Sequence, residues 1–513
     1  MTESFHLTPA DNATLGTHLG VIRFLDGIRA LEGAYCQFKS NEHVAEGLRG
    51  ETDLDILAAR EHHAGIVRAL GASGFMRFHS GEITRYPAVE DWLGFDPVTG
   101  RLAHLHIHWQ MVAGEPFLKG YRLPWEQQIL DDRIWNSQYG IYTASPEMEL
   151  LLLLTRAALK LRARSLIGRQ LRLSVHGRDL RREYAWLLER IDMGRFEQLA
   201  GSILPADIVL KMVATLAEVK LDSSQFLALR WALLRYLAPW RTYTPVHACL
   251  LRWQRELNSR LLQRLWRRIG ILSVARRSPV SGGMIIALVG ADGSGKSTQA
   301  KSLVTWLGWK IDVTRVYFGS GDGPMSWHRR LLLAARNLLG RFRVRVIGTA
   351  ASLAKSASDA PMTRHPGPFK VLYALSLALE KRRAIRNAVR ARNRGMIVIC
   401  DRFPQNQISG YNDGPLLADC LERGFPWGPA ARLERGLLAV FSMVVPDLLF
   451  KLNVSEAVAG ERKADTPKAM IQRKIDAVRS LTLGSGCEII ELDADRPLEE
   501  ITLTMRTAVW GRL

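Results

Sequence analysis

Cysteine is scarce in this chain and long apolar runs are missing, and each shortage excludes something. The 513 residues hold five cysteines, Cys36, Cys249, Cys400, Cys420 and Cys487, with no pairing motif among them. Such scattering fits free thiols in a reducing cytoplasm and argues against a disulfide framework or a cysteine zinc site. No stretch reaches the roughly eighteen uncharged apolar residues that a membrane-crossing helix needs. The nearest, Leu437 to Leu452, is broken by Pro446, Asp447 and Lys451. The opening MTESFHLTPADNATLG has neither a basic start nor an apolar core, so no secretory signal is expected there. Internal repeats and low-complexity tracts are also absent.

Acidic charge is outnumbered, and unevenly. Of the net +20, residues 250–283 supply +7 (eight arginines against Glu256) and residues 327–400 supply +14 (sixteen Lys/Arg against Asp359 and Glu380). The remainder is close to neutral. Two readings follow: these segments meet an anionic membrane surface or another polyanion, or they are solvated helix faces beside phosphate sites. Nucleic acid is the weaker partner, because no recognised reading motif and little aromatic interleaving accompany the basic residues.

What is present is ample for several packed domains. An apolar fraction of 47% over 513 residues argues against disorder, and the length exceeds one ordinary core. The expected class is a multidomain α/β protein. Residues 1–145 mix β-like runs (Thr52–Ala58, Leu102–Val112) with helical stretches, an α+β pattern. Residues 146–272 read as consecutive amphipathic helices with apolar residues at three- and four-residue spacing. Residues 273–283, SVARRSPVSGG, combine Pro, Gly and Ser without periodicity and read as a linker. From 284 to 513, the runs MIIALVG, DVTRVYF, MIVIC, DLLFKLNV and EIIELDA alternate with helices, the pattern of a parallel sheet covered on both faces.

The most specific signal is Gly290-Ala-Asp292-Gly293-Ser294-Gly295-Lys296-Ser297-Thr298, which satisfies G-x-x-x-x-G-K-[ST] between a strand-like and a helix-like run. Its glycines let backbone N–H groups wrap phosphate oxygens; Lys296 reaches the β- and γ-phosphates of ATP, and Ser297 ligates Mg²⁺. The form GADGSGKST resembles the thymidylate kinase branch of the nucleoside monophosphate kinases. MIVICDRFP agrees: Asp401-Arg402-Phe403 looks like that family's Asp-Arg-aromatic motif. The resemblance implies that Asp401 manages Mg²⁺ beside the transferring phosphoryl group while Arg402 holds the acceptor's phosphate. It also implies a lid after PDLLFKLNV, with Arg462 and Lys463 closing over the phosphates and Arg473 a more distant choice. The sequence departs from the family at Phe318-Gly-Ser-Gly-Asp-Gly-Pro324, where an arginine-bearing segment is usual. That departure leaves the acceptor unassigned.

Near the start, Asp53 and Asp55 lie two apart in a strand-like run, so both carboxylates point to one side, a plausible divalent-metal clamp. The arrangement resembles nucleotidyltransferases of the polymerase-β type. There a phosphate-gripping turn precedes an Asp-x-Asp; here Lys39-Ser40 takes its place, Ser40 thirteen residues before Asp53. The expected third carboxylate is missing from the strand Arg101–Trp109, which presents His104, His106 and His108 on one face instead. Those histidines are either transition-metal ligands or hydrogen-bonded strand residues. Residues 146–272 then form the helical partner domain. Its last helix carries the stripe Leu250, Trp253, Leu257, Leu261, Leu265 and Ile269, which is expected to pack inward, with a membrane surface or partner as the alternative.

The whole reads as a cytoplasmic ATP- and Mg²⁺-dependent phosphotransferase, its acceptor a small molecule, fused to a nucleotidyltransferase-like domain. The alternative is a nucleotide-gated regulatory protein with a degenerate N-terminal domain, peripheral at a membrane or bound to a polyanion.

Overall fold

The computed structural model describes residues 16–31, 33–161, 176–217, 223–262, 276–319, 367–405, 408, 415–462, 468–481 and 486–513. The chain forms two compact units, Met1–Ile269 with Val274–Val280, and Gly270–Ser273 with Ser281–Leu513. Both are mixtures of helix and sheet. Among the described residues no helix is long and apolar enough to cross a membrane.

The first unit is built on strands β1 (Tyr35–Gln37), β2 (Asp53–Ala58), β3 (Phe75–Ser80), β4 (Val89–Phe95) and β5 (Leu102–His108). After a two-stranded ribbon of β6 (Met111–Ala113) and β7 (Tyr121–Leu123) come β8 (Arg133–Asn136), β9 (Ile141–Ala144) and the distant β10 (Arg277–Pro279). The main sheet has eight strands in the order β10-β3-β4-β5-β2-β1-β9-β8. It is mixed: β2 runs parallel to β5, and β4 antiparallel to β5. Inside the segment read as a linker, Arg277–Pro279 is an edge strand on β3. Three residues are too few to show a period, so only the pairing reveals it.

Alternation sorts the sheet into an oily face and a polar one. Leu54, Ile56 and Ala58 of β2, with Ala103, Leu105 and Ile107 of β5, pack on the helices Leu19–Ile28 and His63–Ala72 through Phe24, Ile28, Ile66 and Leu70. Their neighbours Asp53, Asp55, His104, His106 and His108 therefore project from the opposite face.

The helices from residue 146 onward share a core with part of that second face. Cys36, Phe38 and Leu57 belong to one cluster with Leu150 to Leu154, Leu187, Phe196, Met212, Leu229 and Leu233. Helix Pro146–Lys160 starts cleanly, with Pro146 in its first turn and Ser145 Oγ accepting from Met148 N at 3.1 Å. The stripe of the last helix, Pro245–Leu257, corrects the expectation that it packs inward. Leu250 is 62% exposed, Trp253 63% and Leu261, just past the helix, 62%, while Leu257 is half-buried and Leu265 and Ile269 lie outside the described residues. The reason is on the other side of the helix. Arg252 pairs with Glu115, and Arg255 Nη1 donates to the Phe117 carbonyl at 3.1 Å, so the charged face is the one held against the unit.

The second unit contains β11 (Met284–Gly290), β12 (Val313–Tyr317), β13 (Ile397–Asp401), β14 (Leu448–Asn453) and β15 (Glu488–Asp493). They form one sheet in the order β12-β13-β11-β14-β15, every pairing parallel. Strand β11 is buried along its whole length, as an uninterrupted apolar run in a doubly covered parallel sheet should be. Because β13 and β14 flank it on opposite sides, its carboxyl end lies at the point where the strand order reverses, the usual crevice for a ligand in such sheets.

Candidate functional site

The loop from Gly290 to Gly295 leaves β11 at that crevice and enters helix Lys296–Leu307. A Cβ at Gly290 would lie 2.5 Å from Ser294 Oγ and 2.8 Å from the Leu452 carbonyl, so only glycine lets the turn close. Gly293 sits at φ +85°, which side-chain-bearing residues rarely adopt. A cavity of about 550 Å³ opens over the loop, with Asp292 to Thr298, Arg402 and Arg462 in its wall. Ser294 and Lys296 are buried there, Ser297 is half-buried and Thr298 is exposed. Lys296 Nζ donates to the Ala291 carbonyl and lies 3.4 Å from Ser294 Oγ. Burial, then the nearby Arg402, pushes its ammonium down to about 8.

Asp292 is the hub of the loop's charges. Arg402 Nη2 reaches its Oδ1 at 3.3 Å and Lys474 bonds its Oδ2. Burial raises its carboxyl, but the Lys474 bond and the charges of Lys296 and Arg402 outweigh that and hold it below the usual range. Arg402 has φ +65°, a conformation that costs a non-glycine residue about 1–3 kcal/mol and that tends to occur at functional sites. Its N–H is fixed to the Leu288 carbonyl at 3.1 Å. Next to it, Asp401 is fully buried at the end of β13, one carboxylate oxygen paired with Arg315 and the other without a hydrogen-bond partner among the described residues. Arg462 Nη1 donates to the Gly293 carbonyl at 3.2 Å and to the Ala494 carbonyl at 3.1 Å, tying the phosphate loop to the turn after β15. Thus Lys296, Arg402, Arg462 and Lys474 surround one loop. Lys463 and residues 320–324 lie outside the described residues.

On the first unit's polar face, β2 and β5 bring Asp55 opposite His106 and Asp53 opposite His104. His104 Nδ1 is 2.9 Å from Asp53 and its Nε2 is 2.9 Å from Asp91 on β4. His106 Nδ1 is 3.3 Å from Asp55 Oδ1, and its Nε2 is 2.7 Å from Asp91. Arg277 Nε, from edge strand β10, is 2.8 Å from Asp91, and Ser80 bonds the other Asp91 oxygen. Lys39 Nζ sits 2.7 Å from Asp55 Oδ1, and Ser40 beside it has φ +56°. Burial disfavours the Asp55 carboxylate, yet Lys39 and the imidazoles keep it well below the ordinary range. Asp91 is lowered likewise by His104 and His106. For His106 burial is overcome by the two carboxylates, which raise it, whereas burial pushes His108 down to about 3. The Asp-x-Asp pair is thus surrounded by imidazole and ammonium. The divalent-metal clamp expected at Asp53 and Asp55 therefore has nitrogen as well as oxygen donors beside it.

The chain is 31% identical over 245 residues to the uncharacterized ATP-binding protein YghS of Escherichia coli K12, covering 47% of this chain and 98% of that protein. This chain belongs to the YghS family. A second relative, the uncharacterized ATP-binding protein YghR of the same strain, is 29% identical over 226 residues, 44% of this chain and 86% of its own length. A thymidylate kinase of Leifsonia xyli is 24% identical over 241 residues, 45% of this chain and 96% of its own. No family model matches.

Several residues of this YghS-family chain escaped the sequence reading. Lys474, not Arg473, reaches the phosphate loop; Arg473 is exposed on the same helix, Lys468–Ser480. The signal was available, since Ile471, Ile475 and Val478 mark the buried face and place position 474 beside it. Arg315 was legible too, because alternation along β12 puts it on the same side as Tyr317, which lines the cavity. Asp91 and Arg277 carry no local mark; only strand pairing brings them to the histidines.

Proposed function

We propose that the second unit is an ATP-dependent phosphotransferase of the thymidylate kinase type, acting on a small phosphate-bearing acceptor. The observation that carries the reading is the set of cations around one glycine-rich loop: Lys296, Arg402, Arg462 and Lys474, at the carboxyl end of a parallel sheet. The ATP-binding names of YghS and YghR and the likeness to thymidylate kinases support it. In this reading the backbone of Gly293 to Ser297 holds the β-phosphate at the helix N-terminus, where amide donors and the helix dipole favour anions. Lys296 turns from Ala291 to the β,γ-bridge, and Arg402 grips the acceptor phosphate as a planar two-pronged donor. Arg462 and Lys474 neutralise charge that spreads over the transferring group.

The oxygen of buried Asp401 that has no partner among the described residues, and the Ser297 hydroxyl at the loop's end, suit Mg²⁺, which would supply charge neutralisation across the β- and γ-phosphates. The acceptor stays open in this reading.

For the first unit we infer a nucleotidyltransferase-like sheet, supported by the Lys39-Ser40 turn, the Asp53/Asp55 pair and a third carboxylate, Asp91, two strands away. Purified protein with Mg²⁺ and γ-labelled ATP, offered nucleoside monophosphates, sugars and sugar phosphates, tests the kinase. Label passes to one acceptor class, and Lys296→Ala lowers the rate by about a hundredfold or more. Slow phosphate release with no labelled acceptor would instead favour a nucleotide-gated switch.

A further inference from the structure

His108 is only 2% exposed, and neither ring nitrogen has a hydrogen-bond partner among the described residues. A buried imidazole left this way is unusual, since buried polar groups are normally satisfied. Its Nε2 lies 3.5 Å from Asp55 Oδ1, too far for a good hydrogen bond. His106 Nδ1 lies 3.3 Å from that same oxygen. In a tetrahedral site with bonds of about 2.0–2.1 Å, neighbouring ligand atoms stand about 3.3–3.4 Å apart, close to these separations. The three ligand atoms all fall within 4.8 Å of one another. The far side of His106 adds a second observation. Its Nε2 faces Asp91 at 2.7 Å and Arg277 Nη2 at 3.3 Å, and Asp91 is held by a hydrogen bond from Ser80 and by the charge of Arg277, whose Nε is 2.8 Å away. A carboxylate behind a ligating imidazole, itself hydrogen-bonded, is the usual outer shell of a metal-bound histidine.

We propose that Asp55, His106 and His108 bind a borderline divalent transition ion such as Zn²⁺, with Asp91 orienting His106. Two imidazoles and one carboxylate match that class and not Mg²⁺. Three protein ligands leave one coordination position for water or a ligand oxygen, as in reactive rather than structural zinc sites. Lys39, 2.7 Å from Asp55 Oδ1, is the counter-charge that the ion replaces, so Lys39 opposes loading. Phe38 packs edge-on against His108 with ring centres 4.9 Å apart, giving the site an apolar wall. None of this depends on the kinase reading, which concerns the other unit.

The test is a Co²⁺ titration of the full, nucleotide-free chain, followed in the visible, with Zn²⁺ and Mg²⁺ as competitors. One equivalent should produce an intense visible band without a near-ultraviolet thiolate band, since no cysteine takes part. Equimolar Zn²⁺ should bleach it and equimolar Mg²⁺ should not. His108→Asn and Asp55→Asn should weaken binding by more than about a hundredfold, and the shape-conserving Asp91→Asn by about 10–100-fold. Lys39→Met should tighten it, a gain that misfolding cannot produce, while exposed His79→Ala changes nothing. No saturable one-equivalent signal, a thiolate band, displacement by equimolar Mg²⁺, an unchanged His108→Asn titration, or weakening by Lys39→Met would each overturn the assignment. Labelled-ATP transfer is read separately, so loss of one reading leaves the other standing.

Discussion

Lys296 shows how one residue's environment sets a measurable consequence. Burial, then the charge of Arg402, pushes its ammonium down to about 8 by disfavouring the charged form. A triphosphate beside it favours that form, so binding raises its pKa and the complex takes up a proton. Near pH 8.5 the nucleotide's own phosphates are ionised already, and uptake should exceed about half a proton per ATP bound. Calorimetry in two buffers of different ionisation enthalpy reads this directly. Lys296→Arg, which does not titrate in this range, should abolish the uptake; persistence in that variant would assign the proton elsewhere. At this scale the phosphate loop was fully legible in the sequence, because its chemistry is local: nine consecutive residues carry it. Lys474 was one residue away from Arg473, and the difference of about 100° around a helix decides which of them meets Asp292.

At the scale of elements, strand β5 does two jobs by alternation. Ala103, Leu105 and Ile107 anchor the sheet on its helices, and His104, His106 and His108 carry the polar cluster. Leu105→Ala should cost about 2–5 kcal/mol in a denaturant titration, since Leu105 is wholly buried in a packed cluster and removing it leaves a cavity. A loss under about 0.5 kcal/mol, typical of surface positions, would show that this face is not the packed one. The runs for β2 and β5 were readable from period-two patterning, and so was the face each acid or imidazole takes. The register was not. Asp55 stands opposite His106 because of long-range pairing, and a slip of one residue would have turned the whole set to the other face. Asp91 entered the cluster the same way, across β4 and β5, with nothing in VEDWLGF to announce it.

Over the whole molecule, what is exposed matters as much as what is buried. The stripe on helix Pro245–Leu257 looks in sequence like a core-facing seam, yet Leu250 and Trp253 face outward because Arg252 and Arg255 find Glu115 and the Phe117 carbonyl on the inner side. Trp253→Ala should therefore change unfolding free energy by no more than about 0.5 kcal/mol, against several for a buried tryptophan. A loss of about 3 kcal/mol or more in the same titration would mean that the indole is packed after all. The sequence by itself determined the phosphate loop, the five runs of the parallel sheet, the polar sides of β2 and β5, and the helical character from residue 146. These depend on spacing within one segment. Tertiary structure alone decided the partners of Asp55, the arrival of Asp91 and Arg277 at the histidines, and the inward face of the last helix. Each depends on segments far apart in the chain meeting in one register, and that register follows from packing the entire unit.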